Sequence, residues 1–162
     1  MNQKIIEDAF EEEDTQKGKF LTFSLGSEMY GVEILYVTEI VGVQPITVVP
    51  ELPDYIKGII NLRGKIIPVM DARLKFKKAA MEYNDRTCII VIDMDEISIG
   101  LIVDSVSEVM NIPEEDLVAP PKLTKDGKKY IKNIAKTGDN ITLILDCAKL
   151  LDEDEIADLS NI

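Results

Sequence analysis

The chain has 162 residues, is 46% apolar and carries a formal net charge of −12. That length and apolar fraction fit one domain, or two very small ones, with a core of its own. Ordinary Gly and Pro counts exclude collagen-like and low-complexity classes, and no apolar run approaches the ~20 residues that span a bilayer.

Most of the charge sits in the tails. Residues 1–17 hold six acids, among them Glu7, Asp8 and Glu11, against two lysines, and 150–162 hold five acids and no base. The stretch 18–149 keeps 19 acids and 16 bases, so the expected folded part is nearly balanced. Acidic ends of this kind read as solvated extensions. An acidic N-terminus is the opposite of a cationic signal peptide, so the expectation is a soluble, cytoplasmic protein. Without a basic stripe, neither nucleic acid nor direct membrane insertion is expected. Cys88 and Cys147 lie in apolar segments and read as free thiols packed as small hydrophobes.

In chain order, 1–17 is predicted to be an acidic extension. Leu21, Phe23 and Leu25 alternate with Thr22 and Ser24, the period of a strand with one buried face. Gly26-Ser27 turns the chain into a second strand, Glu28–Ile34. Leu35 to Val43 is a third, with Glu39 among β-branched neighbours. The run from Tyr55 to Arg73 reads as two strands joined at Leu62-Arg63-Gly64-Lys65, where Gly64 supplies the positive φ of a tight turn. Arg63 then stands at an exposed tip, and Pro68 ends the strand. Asp71–Lys78 forms a helical turn or two.

Ile89–Ile92 is an unbroken apolar run, expected to be buried on both faces. A turn at Met94-Asp95-Glu96 leads into Ile97–Val103. Pro113-Glu114-Glu115-Asp116 suits a short helical start. Thr137-Gly138-Asp139-Asn140 is a hairpin turn into Ile141–Leu145. Asp146–Leu159 has helical spacing, with a capping-box outline at Asp152 and Glu155.

An internal repeat underlies this order. Residues 19–40 match 88–109 at an offset of 69, pairing Gly31 with Gly100, Val37 with Val106 and Glu39 with Glu108. A second block matches at an offset of 75, pairing Tyr55 with Tyr130, Ile66 with Ile141 and Asp71 with Asp146. The extra residues fall in Ala119 to Lys129, where a loop tolerates insertion. Many short strands per half predict an all-β fold, mainly β with short helices. Two small barrels would be related by the repeat, one over 18–80 and one over 81–151, with 152–162 an acidic tail carrying at most a short helix.

Catalysis has little to build on. The chain lacks histidine, and with it the usual general base and imidazole ligand. It has no phosphate loop, dinucleotide fingerprint, metal-ligand spacing or calcium loop, so no cofactor and no metal are expected. Glu39 with Glu108 is a conceivable carboxylate pair only if the repeats face each other. A binding module fits better. Glu39, with Val37 and Val41 beside it, suits a mixed partner-seeking surface, although an outward position of an alternating strand explains it as well.

The motifs Asn61-Leu62-Arg63-Gly64, Pro68 and Asp71-Ala72-Arg73, preceded by Tyr30-Gly31-Val32 and Val37-Thr38-Glu39-Ile40, resemble the CheW family of chemotaxis coupling proteins. The resemblance runs from about Lys19 to Leu151. It implies two SH3-like five-stranded β-barrels and a non-catalytic adaptor. One barrel would bind the regulatory domain of the chemotaxis histidine kinase CheA, and the groove between barrels would take the cytoplasmic tip of a methyl-accepting chemoreceptor. Carried over position by position, Val37, Glu39, Gly58, Arg63, Val106 and Val109 are the partner-contact residues. Ala72 departs from the leucine common there. Two alternatives are an excised kinase regulatory domain, against which the span from Met1 to an acidic tail speaks, and a small-ligand-binding double barrel, whose signature would be a large apolar pocket.

Overall fold

The computed structural model describes residues 16–94, 97–121 and 130–151. Residues 1–15 of the acidic extension, the tail from 152 and residues 122–129 of the expected insertion lie outside them, as do Asp95-Glu96 of the expected turn and the capping box at Asp152.

Eleven strands are present among the described residues. The first half supplies β1 (Lys19–Leu25), β2 (Glu28–Glu33), β3 (Val37–Gly42), β4 (Ile56–Leu62) and β5 (Lys65–Asp71). The second supplies β6 (Cys88–Met94), β7 (Ile97–Val103), β8 (Ser105–Asn111), β9 (Leu117–Val118), β10 (Ile131–Thr137) and β11 (Asn140–Leu145). A short helix, α1 (Ala72–Lys75), follows β5, and 3-10 turns occupy Ile34–Tyr36, Glu114–Asp116 and Cys147–Lys149. The expected helical starts after Asp71, Pro113 and Asp146 are therefore present. Pro68 lies inside β5 and does not end it.

The strands form two mixed sheets, ordered β8-β1-β2-β11-β10-β9 and β3-β6-β7-β5-β4. The all-β class holds. One sheet has the expected five strands, and the two-residue β9 adds a sixth to the other. The halves, however, do not form separate sheets, so a boundary between 80 and 81 divides neither. β1 and β2 sit among second-half strands, and β6 and β7 sit among first-half strands. The cause is in the pairing: β2 runs parallel to β11 and β7 runs parallel to β5. Each half thus lends its first hairpin to the other's sheet.

The repeat survives this exchange residue by residue. Gly31 sits between Thr22 and Ile144, and Gly100 sits between Val91 and Val69, which are the same places at offsets of 69 and 75. Asp71 and Asp146 each cap a helical turn, accepting from the Leu74 and Ala148 amides. Their own amides donate to Tyr55 and Tyr130, another repeat pair.

Alternation along the strands feeds three cores. Ile90 and Ile92 enter the main core, built from both sheets with Leu21, Phe23, Leu25 and Val37, while Ile89 and Val91 enter a second with Ile60, Ile67 and Val69. That is why Ile89–Ile92 is apolar throughout. Strand β1 departs from expectation. Thr22 is as buried as its neighbours, because Phe20 on the same face packs into a third core with Ile112, Ala135 and Ile144. Thr22 is accommodated there because its hydroxyl donates to the Glu108 carbonyl at 2.8 Å. Cys88 and Cys147 are free thiols, and burial pushes the Cys147 thiol up to about 12.

Candidate partner-binding site

The turn between β4 and β5 contains only Arg63 and Gly64, with Leu62 opposite Lys65. Both turn residues have positive φ, 53° and 86°, the pattern of a type I′ hairpin whose twist matches that of its strands. The Asn61 side chain accepts from the Gly64 amide at 2.8 Å and fixes the turn. Gly64 takes this geometry without strain, whereas Arg63 holds it at a cost of about 1 kcal/mol. A cation kept in a strained, exposed position suggests a use for the side chain.

Its partner within the chain is Glu39. The Arg63 Nη2 donates to Glu39 Oε2, with the arginine side chain 73% exposed and the glutamate 17%. The two strongest sequence candidates, 24 residues apart, thus meet in one ion pair. A β-bulge in the β3–β6 pairing, between Val37 and Glu39, accounts for the aim of Glu39. The Thr38 hydroxyl donates across that bulge to the Val91 carbonyl. Ile66, opposite Asn61 at the base of the turn, and Val48, beside the Thr47–Ile59 bridge, are exposed apolar side chains of the same half.

The other candidates separate from this pair. Val37 is fully buried in the main core, so it is a packing residue. Val41, expected to be exposed beside it, is half-buried against the second core. Gly58 is buried at φ 145°, and a Cβ there would lie 2.1 Å from the Thr47 carbonyl oxygen. Its role is to let residue 47 pair with β4, where Thr47 and Ile59 exchange two hydrogen bonds of 2.9 Å. Val106 and Val109, on β8, are half-buried against the main core. Glu39 and Glu108 belong to different sheets.

Two residues outside the candidate set tie the halves together. Arg73, at α1, makes a forked pair with Asp104, Nε to Oδ1 at 2.7 Å and Nη2 to Oδ2 at 2.6 Å. The same Oδ2 accepts from the Gly26 amide at 2.7 Å, so one carboxylate joins α1, the β1–β2 turn and the end of β7. Burial alone would raise the Asp104 pKa, but Arg73, the Gly26 amide and Lys78 outweigh it and hold the carboxyl below its ordinary value. Asp71 is buried between the Leu74 amide and the Tyr83 hydroxyl, which donates at 2.7 Å. The Asp-Ala-Arg motif is thereby structural. Because the Asp104 pKa falls on folding, its contribution is complete above about pH 4 and is lost as pH falls through the folded-state value. Asp104→Asn should therefore lower the urea midpoint at pH 7 and lower it much less at pH 2.5. Equal losses at both values would show that the carboxylate charge is immaterial.

The comparisons with known proteins bear on this geometry. The family model for the CheW-like domain matches residues 19–155. The chain belongs to the CheW family. The chemotaxis protein CheW of Klebsiella aerogenes is 35% identical over 150 residues, covering 92% of this chain and 90% of that one. The CheW of Treponema pallidum is 33% identical over 149 residues, at 89% and 88% coverage. Among solved structures, the scaffolding protein TtCheW from Thermoanaerobacter tengcongensis matches with a TM-score of 0.79 and 38% identity, over 85% of this chain and 94% of that one. Membership in the CheW family makes this a chemotaxis scaffold protein and not an enzyme. Among the described residues no helix is long and apolar enough to cross a membrane.

Proposed function

We propose that this scaffold couples membrane-bound chemoreceptors to the chemotaxis histidine kinase CheA from the cytoplasmic side. The observation that carries the reading is the Arg63–Glu39 pair, an ion pair held on a strained turn and a bulge in a chain of this family. On this reading the pair, with Ile66 exposed at the base of the same turn, is the contact for the kinase's regulatory domain. An exposed arginine beside an exposed apolar side chain fits a protein interface, where Arg is enriched relative to the rest of the surface. The helical tip of a receptor's cytoplasmic hairpin takes a separate surface, so that one scaffold holds both. A receptor's conformational preference then biases the kinase through their shared binder.

The test uses the full chain against a purified chemoreceptor cytoplasmic fragment and the CheA regulatory domain, each alone and then together, by isothermal titration. Binding to each, with neither displacing the other, is the expected result. Binding to only one, or mutual displacement, would end the coupling reading. The small-ligand alternative gains no support from the structure, since the open cleft of about 620 Å³ on the six-stranded sheet has a mixed lining that includes Glu28, Glu108 and Asp139.

A further inference from the structure

That cleft acquires a meaning from the repeat, independent of which partner Arg63 meets. In the five-stranded sheet the bulge acid Glu39 is satisfied within the chain by Arg63. In the six-stranded sheet the equivalent bulge falls in β8, and its acid is Glu108. The Thr22 hydroxyl fixes this bulge, donating to the Glu108 carbonyl at 2.8 Å and accepting from its amide at 3.2 Å. The residue equivalent to Arg63 is Gly138, in the β10–β11 turn, and it brings no side chain. The next residue, Asp139, is a second acid. Among the described residues neither Glu108 nor Asp139 has an ion pair, whereas Glu28 on the same cleft is taken by Lys78.

The interior beneath differs in the same sense. Val91, Ile67 and Ile60 fill the second core of the five-stranded sheet; their repeat mates are Thr22, Thr142 and Ala135. Thr142 is 1% exposed and lines the cleft. Its hydroxyl has no hydrogen-bond partner among the described residues, yet no buried side-chain polar atom there is both sealed and unsatisfied. What surface Thr142 keeps is therefore at its hydroxyl, facing the cleft. Met29 and Met110 supply an apolar lining.

We propose that this cleft docks an arginine side chain presented by another protein, which takes in trans the place that Arg63 fills in cis. Glu108 and Asp139 supply acceptors for a planar guanidinium fork. Met29 and Met110 suit its aliphatic stem, and Thr142 supplies an acceptor that the chain leaves open.

The test is a titration of the full ¹⁵N-labelled chain with acetyl-Leu-Arg-Gly-amide, and with the same peptide carrying citrulline or lysine in place of arginine. The arginine peptide should shift the amides of Thr22, Glu108 and residues 138–143 saturably, and the other two should bind at least tenfold more weakly. Glu108→Gln should weaken the arginine peptide by tenfold or more. Gly138→Arg builds the missing cis partner in a turn already at φ 66°, and should abolish binding with the fold intact. Thr142→Ile, copying Ile67, fills the cleft and should do the same if either other variant fails to fold. Peptide-free shifts of the same residues that grow with protein concentration and vanish in Arg63→Ala would make a second copy the donor, and would support the assignment. Equal binding of the citrulline or lysine peptide, undiminished binding to Gly138→Arg, or no shift at millimolar arginine peptide overturns it.

Discussion

Gly58→Ala is expected to lower the melting temperature by about 6–12 °C. The added methyl would lie 2.1 Å from the Thr47 oxygen and 2.8 Å from its carbon, both backbone atoms that a side-chain rotation cannot relieve. The φ of 145° is a conformation that L side chains rarely adopt. Overpacking typically costs about 1–3 kcal/mol, and backbone strain adds a comparable amount. Together they come to roughly 3 kcal/mol, at about 2–4 °C per kcal/mol for a chain of this size. Gly42→Ala is the control, since a Cβ there meets nothing within 4 Å, and it should leave the midpoint unchanged. Below its midpoint, folded Gly58→Ala should bind partners as the parent does. An unchanged melting temperature with lost binding would return Gly58 to the interface.

What the sequence disclosed, and what it concealed, follows from the range of each signal. Local alternation located β1 and β7, an unbroken apolar run located β6, and turn chemistry led into β2 and placed the hairpins at Gly26, Arg63-Gly64 and Gly138. The offsets of 69 and 75 identified true structural mates, as Gly31 with Gly100 and Asp71 with Asp146 show. The exchange of hairpins between the halves was hidden, because a repeat has the same spacing whether each half closes alone or lends strands to the other. Parallel pairing of β2 with β11 across more than a hundred residues leaves no local trace.

Side-chain direction was the other blind spot. Val37 and Glu39 are two apart and should share a face, but the bulge between them breaks the alternation, sending one into the core and the other to Arg63. The Arg73–Asp104 fork was missed because Asp104 stands alone at the end of a strand. Its repeat distance from any motif gives no cue.

Arg63→Ala should keep the wild-type melting temperature within about 2 °C and weaken binding to the CheA regulatory domain by thirtyfold or more. The side chain is 73% exposed, and an exposed ion pair contributes at most about 1 kcal/mol, so little stability is at stake. Arg63→Gly removes the same pair and also the strain at φ 53°, so its midpoint should exceed that of Arg63→Ala. At an interface the accounting differs, since truncating a central arginine costs roughly 2 kcal/mol or more. Both variants should therefore lose binding together while their stabilities diverge, a pattern that a folding role cannot produce. Arg63→Lys should recover only part of the affinity if the partner offers a carboxylate to the planar fork. Exchanging the charges in Glu39→Arg/Arg63→Glu re-forms an ion pair of opposite sense, and binding should stay lost because the exposed member now carries the wrong sign. Full affinity in the exchanged protein would mean that the pair serves only to hold the hairpin, and unchanged affinity in Arg63→Ala would remove Arg63 from the kinase contact.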